Sequence, residues 1–373
     1  MQFRYKKITV KIGSNVLAKP NGTLNVSRIA HLVDQIAFLR KNGVEVVVVS
    51  SGAVAAGRAV LEPAKKTDAV SKRQLWAALG QVKLISRYSD FFSEHGLVCA
   101  QVLTTKESFS SRGHYLNMQN CFTTLLENKV IPIVNENDTI SVNELMFTDN
   151  DELSGLIASI VNSEALILLS NVDGVYSAHP KDKNAKLIQQ INSNDKEPEN
   201  AISDERSDFG RGGMLTKFRI AQKVAGDGIG VHVANGTSEN ILIDLLDVKK
   251  ELKHTFFVPN SKQNSGIKKW IGYSDGFAKG EVVINEGAVN ALNSEKAVSL
   301  LPVGVIEIKT IFKKGDLIKI VDELGITIGI GKAGYDSERV EKEKNSGKHK
   351  PIVHYDYLYL ETCRTTHAGK KNH

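Results

Sequence analysis

No stretch of this chain of 373 residues approaches the roughly 20 apolar residues that a membrane-spanning helix needs. The first ten residues, MQFRYKKITV, carry positive charge but no apolar h-region and no small-residue cleavage site, so they do not read as a secretory signal. Cysteine is scarce. Cys99, Cys121 and Cys363 are odd in number and scattered, which argues against a disulfide frame or a zinc site and fits reduced thiols in a cytoplasmic protein. No segment matches G-x-x-x-x-G-K-[ST], so there is no Walker A loop. No histidine stands out as a general base.

What is present is ordinary for a globular protein, with 41% hydrophobic and 24% charged residues. The length allows two domains. The net charge is +6, and residues 261–373 hold 18 Lys/Arg against 14 Asp/Glu, so four of the six charges lie there. A solvated basic face is the plain reading of that surplus, and a nucleic-acid surface the sharper one.

Along the first two thirds, apolar runs alternate with amphipathic stretches. ITVKI (8–12) reads as a buried strand. Ile29, Leu32, Val33, Ile36 and Leu39 mark a helix over 26–41, stopped by Asn42-Gly43. VEVVVV (44–49) is an unbroken β-branched run, as in strands covered on both faces. Helices near 71–93, 115–128, 152–162 and 216–226 each precede an apolar run, at 97–103, 130–134, 165–169 and 231–234. This alternation predicts an α/β fold, a mainly parallel sheet sandwiched by helices, with ligands at the carboxyl ends of the strands. Residues 181–210 are polar and predict a surface excursion.

After residue 258 the pattern changes. The first domain is expected to span 1–258 and a linker 259–274. A small β-rich domain over 275–362 should hold strands in 280–288, 304–308, 315–322 and 326–330, with one short helix near 287–294. Gly329, Gly331 and Gly334 match G-x-G-x-x-G after a strand. The following ERVEKEKNSGKHK (338–350) has one apolar residue and cannot supply the sheet-packing helix of a dinucleotide fold, so the match is read as a turn in a small β domain.

FTDNDELSG (147–155) places Asp149, Asn150, Asp151 and Glu152 side by side. It could form a solvated turn or a helix N-cap. A calcium loop fails, because counting from Asp149 puts Ser154 at position six and Ile160 at position twelve. An active-site acid at a helix start is the third reading. Other signals fall where strands end: Gly13-Ser14, Ser51-Gly52, Asn135 to Asp138, and Gly212-Gly213 before Thr216-Lys217. Glycine loops and helix N-termini bind anions through unpaired N–H groups. Several such loops on one sheet edge, with Lys11 and Lys217, point to a polyanion site, and phosphoryl transfer fits. Lys106, Arg112 and His114 read as solvated surface, and Trp76 and Trp270 as packing.

VKIGSNVL (10–17), VSSGAVAAGR (49–58), IVNENDTIS (133–141), FTDNDELSG and GGMLTK (212–217) come in the order and spacing of the amino acid kinase family, which this chain resembles. Within the family the likeness is to the glutamate 5-kinase branch. KKWI (268–271), GEVVINEGA (280–288) and SLLPVGV (299–305) resemble the PUA domain that many of its bacterial members carry.

The resemblance implies phosphorylation of the γ-carboxylate of L-glutamate by ATP with Mg²⁺, the first step of proline biosynthesis. It implies Lys11, Asp151 and Lys217 as catalytic residues, with Asp151 organising the two lysines. Ser51, Gly52, Asp138 and Asn150 would bind the amino acid. Lys11, Gly13, Ser170, Asn171, Arg211, Gly212, Gly213, Met214, Leu215, Thr216 and Lys217 would bind ATP. No residue is assigned as a metal ligand. Proline as feedback inhibitor, a homo-oligomer (dimer or tetramer) and RNA as a partner of the PUA domain belong to the same expectation. Four positions depart from the common pattern. Ser170-Asn171 stands where many members have Thr-Asp, Arg211 where they have Thr, and Leu215 where they have Ser. Rival readings are an RNA-directed protein, a sibling kinase acting on acetylglutamate or carbamate, and a pseudo-kinase.

Overall fold

A computed structural model describes residues 1–141, 147, 149–178, 182, 184–192, 195, 213–261, 264–294, 297–344 and 350–361. Cys363 and most of the 181–210 excursion lie outside the described residues. The chain divides into two compact units, Met1–Gln263 and Asn264–His373.

The first unit is built on an eight-stranded sheet. Its strands are β1 (Lys7–Ile12), β2 (Glu45–Ser50), β3 (Cys99–Thr104), β4 (Ile131–Glu136), β5 (Ala165–Ser170), β6 (Gln190–Ile191), β7 (Gly230–Asn235) and β8 (Thr255–Phe257). They lie in the order β3-β4-β2-β1-β5-β7-β8-β6. Every neighbouring pair is parallel except β7–β8. The helices are α1 (Ser14–Leu17), α2 (Val26–Lys41), α3 (Ala53–Arg58), α4 (Ala69–Glu94), α5 (Arg112–Glu127), α6 (Asn150–Ile160), α7 (Met214–Gly226) and α8 (Ile241–Leu246).

Side chains alternate across a strand, and both faces here are covered. Ile8, Val10 and Ile12 of β1, with Val46, Val48, Ile167 and Leu169, form one core with Ile29, Leu32 and Ile36 of α2 and Tyr88 and Phe92 of α4. Thr9 and Lys11 point the other way, towards α6, which packs on β1 and β5. Both are buried, and Thr9 Oγ1 lies 2.8 Å from Ser163 Oγ just past α6. The parity of β1 thus delivers Lys11 to the face where α6 begins.

A buried imidazole chain sits in the same unit. The Leu252 carbonyl accepts from His254 Nδ1–H at 2.8 Å. His254 Nε2 must then accept from His232 Nδ1–H at 3.0 Å, and His232 Nε2 from the Tyr5 hydroxyl at 2.9 Å. Both rings are neutral in this arrangement. Burial, reinforced by His254 and Arg4, pushes His232 down to about 3. The folded pKa lies below the unfolded one, so this stability is present above pH 6.5 and is lost as pH falls below it. At pH 5 the loss is about 2 kcal/mol. Urea unfolding at pH 7.5 and 5.0 should show it, and His232→Gln should shrink the wild-type pH difference by about that amount. An undiminished difference in the variant would place the acid sensitivity elsewhere.

The second unit holds α9 (Gly266–Gly272), β9 (Gly280–Ile284), α10 (Glu286–Leu292), β10 (Val305–Thr310), β11 (Leu317–Val321), β12 (Thr327–Ala333), α11 (Glu338–Lys344) and β13 (Val353–Leu360). Its five strands run in the order β10-β9-β11-β12-β13 around a core that includes Val282, Ile284, Ile318, Ile320 and Leu358. Two expectations need correction. Gly329 and Gly331 lie within β12, not in a turn. A Cβ at Gly329 would sit 2.4 Å from the Tyr359 carbonyl oxygen, and one at Gly331 2.3 Å from Val353 Cγ1. They are glycines because β13 comes close. Residues 338–344 do form a helix, since one fully buried apolar residue, Val340, anchors two turns in the core.

Candidate active site

The carboxyl ends of β1, β2, β4 and β5 converge with the N-termini of α3, α6 and α7. Asp149 caps α6, its Oδ1 accepting the backbone N–H groups of Asp151 at 2.8 Å and Glu152 at 3.1 Å. A carboxylate suits that place, where the helix dipole is positive. The next residue, Asn150, donates its amide to Ser51 Oγ and to Asn135 Oδ1, each at 3.0 Å.

Asp151 is fully buried, with Oδ1 2.6 Å from Lys11 Nζ and Oδ2 2.9 Å from Lys217 Nζ. One carboxylate thus bridges two ammonium groups carried by a central strand and by the first turn of α7. Glu152 is paired with Lys106 at 3.4 Å. Asp151 and Glu152 thus have cationic partners of their own, while Asp149 is held by backbone N–H groups.

The electrostatics follow from burial and from this pairing. Burial alone would raise the Asp151 carboxyl, but the two lysines outweigh it and hold the group well below the usual carboxylate range. Burial works against the Lys217 ammonium, and Asp151 and Asp149 reverse it, so Lys217 is raised and stays charged at neutral pH. Asp149 is pushed up to about 6 by burial and by Asp151, with the lysines opposing. Its Oδ2 is buried without a hydrogen-bond partner among the described residues.

Ser51 and Gly52 follow β2 directly. Gly52 is in the left-handed region at φ 105°, which a side chain rarely adopts, and it starts α3. The Ser51 N–H bonds the Ile12 carbonyl at 3.2 Å, which ties this loop to the end of β1. Gly13 does not present its own N–H as expected, because that group donates to the Leu169 carbonyl at 3.2 Å. Its smallness is what counts, since a Cβ there would lie 3.0 Å from the Leu169 carbonyl oxygen. The donors left for an anion belong to the first turn of α1.

At the end of β5, Ser170 is buried and Asn171 is exposed. Asp173 accepts from Asn235 Nδ2 at 3.0 Å, so a carboxylate stands two residues beyond the position where Asn171 lacks one. Gly213 is the N-cap of α7 without a side-chain cap, followed by Met214, Leu215, Thr216 and Lys217 in its first turn. First-turn N–H groups have no partner inside a helix and suit phosphate oxygens. Arg211 and Gly212 lie outside the described residues.

Three contributions were not read from the sequence. Asn135 sits inside the quoted NEND run, and its amide joins Gln81 of α4 (2.9 Å) to Asn150. Arg73, also of α4, reaches Asp138 with Nη2–Oδ1 2.8 Å. Lys106 is not solvated surface but mostly buried against Glu152. Only a contact across the fold marks these residues, and no local spacing signals one.

Residues 6–235 match the amino acid kinase family, and residues 280–355 match the PUA domain. The chain belongs to the amino acid kinase family. Among its relatives is a protein named glutamate 5-kinase from Bacteroides thetaiotaomicron, 55% identical over 97% of this chain and 100% of the relative. Another of that name, from Chlorobaculum tepidum, is 45% identical over 95% of this chain and 98% of the relative. A solved T. acidophilum isopentenyl phosphate kinase product complex aligns over 67% of this chain and 99% of its own, at 17% identity and a TM-score of 0.49. As a family member the chain carries the mainly parallel α/β kinase fold followed by a β-rich PUA domain. Among the described residues no helix is long and apolar enough to cross a membrane.

Proposed function

We propose that the chain transfers the γ-phosphoryl group of ATP to the γ-carboxylate of L-glutamate, giving γ-glutamyl phosphate and ADP in the first step of proline biosynthesis. The observation that carries this reading is Asp151 bridging Lys11 and Lys217 at the carboxyl edge of the sheet, within reach of the α7 N-terminus.

The nucleophile is a carboxylate, already ionised at neutral pH, so no general base is required. The obstacle is repulsion between that carboxylate and the triphosphate. Lys11 and Lys217 answer it, held in place before the reactants arrive, so no reorganisation is needed when charge builds on the transferring oxygens. Asp151 keeps the two ammoniums together and aimed. The first-turn N–H groups of α7 would cradle phosphate oxygens, and Ser51, Gly52, Asn150 and Asp138 would hold the amino acid. Mg²⁺ would accompany the nucleotide in this reading and offset the charge of its phosphates.

The test is ADP release dependent on L-glutamate and Mg²⁺, with glutamyl hydroxamate formed when hydroxylamine is added. Strong turnover of N-acetylglutamate with none of glutamate would overturn the assignment. All the site residues precede residue 258, so a chain ending at residue 260 should keep this activity. A folded but inactive truncation would give the second unit a part in the site.

The same reading places the enzyme in the cytoplasm as a homo-oligomer inhibited by proline. Added proline should raise the KM for glutamate, and light scattering should give more than one chain per particle. RNA binding by the PUA domain belongs to the same reading. Filter binding of tRNA across a salt series would give a steep slope if phosphates are contacted, and no binding at low salt would remove RNA as a partner.

A further inference from the structure

L-glutamate brings three charges to the site, and the assignments above answer two of them. The γ-carboxylate would face the lysines and the phosphoryl group, and Asp138, the carboxylate among the residues proposed to hold the amino acid, would match the α-ammonium. The α-carboxylate has no assigned partner. Lys11 and Lys217 are committed to Asp151, and Lys106 to Glu152. The cation that stands beside Asp138 is Arg73, with Nη2 2.8 Å from Oδ1.

We infer that Arg73 binds the α-carboxylate of the substrate, so that the Arg73–Asp138 pair is the recognition element for a free α-amino acid. The inference rests on the glutamate kinase reading. The pair is open enough to be entered, since the Arg73 side chain is 37% exposed and that of Asp138 11%. Arg73 has donors to spare, because its Nε is buried without a hydrogen-bond partner among the described residues. A planar guanidinium can hold one carboxylate while engaging a second. An entering zwitterion places its carboxylate on Arg73 and its ammonium on Asp138, replacing one ion pair with two and leaving no charge unmatched.

The same helix fixes the rest of this half-site. Gln74 donates to the Thr139 carbonyl at 2.8 Å, and Gln81 Oε1 accepts from Asn135 Nδ2, whose Oδ1 in turn accepts from Asn150. Since Gln74 already ties the 138–139 loop to α4, Arg73 is not needed merely to hold that loop. The consequence is selectivity. An analogue lacking the α-carboxylate leaves a guanidinium facing only Asp138, and one with a blocked amine leaves Asp138 without an ammonium.

The experiment compares L-glutamate with L-isoglutamine, whose α-carboxylate is a neutral amide and whose amine and γ-carboxylate are intact. Wild type, Arg73→Met and Arg73→Lys are assayed with saturating ATP. Arg73→Met should raise the KM for glutamate by about 10- to 100-fold, with a much smaller change in kcat. It should leave isoglutamine within about threefold of wild type, read as kcat/KM, or as Ki against glutamate where turnover is slow. Arg73→Lys should recover most of the glutamate KM. An unchanged glutamate KM, equal losses for both compounds, or no rescue by Lys would each overturn the inference. A thermal melt of each variant separates lost folding from lost recognition. A wild-type chain that does not turn over glutamate would overturn the kinase reading itself, a different outcome from an active enzyme indifferent to Arg73.

Discussion

Asp151→Asn is expected to lower kcat by about 10²–10³-fold, with a far smaller effect on the KM for glutamate. The change keeps size but removes the charge that two buried ammoniums share, at 2.6 Å and 2.9 Å. An amide can accept from one lysine only, and turns its NH₂ towards the other. The lysines then repel each other and leave the positions from which they meet the transferring phosphoryl group. Lys11→Ala and Lys217→Ala should cost kcat on the same scale, because each removes a donor whose effect grows in the transition state. Asn150→Ala and Asp138→Ala should instead act mainly on KM. The bridged lysines and Asp151 work as one unit, so Lys217→Ala with Asp151→Asn should cost much less than the product of the two singles. Removing one member of a buried ion pair also costs about 3–5 kcal/mol of stability, so kinetics belong at a temperature below the melting of the weakest variant. The organising role given to Asp151 fails if its replacement alters only the glutamate KM, or if the double variant is fully multiplicative.

Gly80→Ala is expected to lower Tm by about 3–10 °C and to raise the KM for glutamate. In an exposed helix this substitution is stabilising by about 1 kcal/mol, so the sign is diagnostic. Here a Cβ would sit 1.8 Å from the Ala53 carbonyl oxygen and 2.4 Å from the Gly57 nitrogen. The contact is mutual, since a Cβ at Gly57 would lie 1.9 Å from the Trp76 carbonyl oxygen. These are backbone atoms, so α3 must move away from α4. Immediately before α3 stand Ser51 and Gly52, and Ser51 accepts from Asn150. A shift at the helix contact therefore reaches Ser51 and Gly52, proposed to hold the substrate, directly. A variant with raised Tm and unchanged KM would show that α3 yields without carrying Ser51 along.

Much of this was legible from residue order. β1, β2, β5 and α2 announce themselves because apolar periodicity and β-branched runs are local signals, and their bounds fall within a residue or so of the expected ones. The strand-end loops pointed to Lys11 and Lys217 as a polyanion site, but their catalytic role and that of Asp151 came only through family likeness; by itself a lysine in an apolar strand reads more readily as a snorkelling edge residue. Arg73, Gln81 and Asn135 were not legible at all. Their meaning comes from α4 crossing the 135–139 loop, some 60 residues away in sequence, and nothing in the composition of α4 marks that face. β13 was missed because VHYDYLYL mixes exposed and buried positions irregularly, and α11 because one apolar residue gave no period to detect.

The position of β1 carries a further consequence. It is bonded along both edges, to β2 over Lys7–Ile12 and to β5 over Ile8–Ile12. Its amides exchange with solvent only when the whole unit opens, whereas the 137–139 and 51–52 segments lie beyond strand ends and can open on their own. Lys11 thus sits on the least exchangeable part of the chain, whereas Ser51 and Asp138, proposed to hold the substrate, sit beyond strand ends. Under the proposed roles, substitutions in those two segments would alter which amino acid is accepted while leaving Lys11 in place.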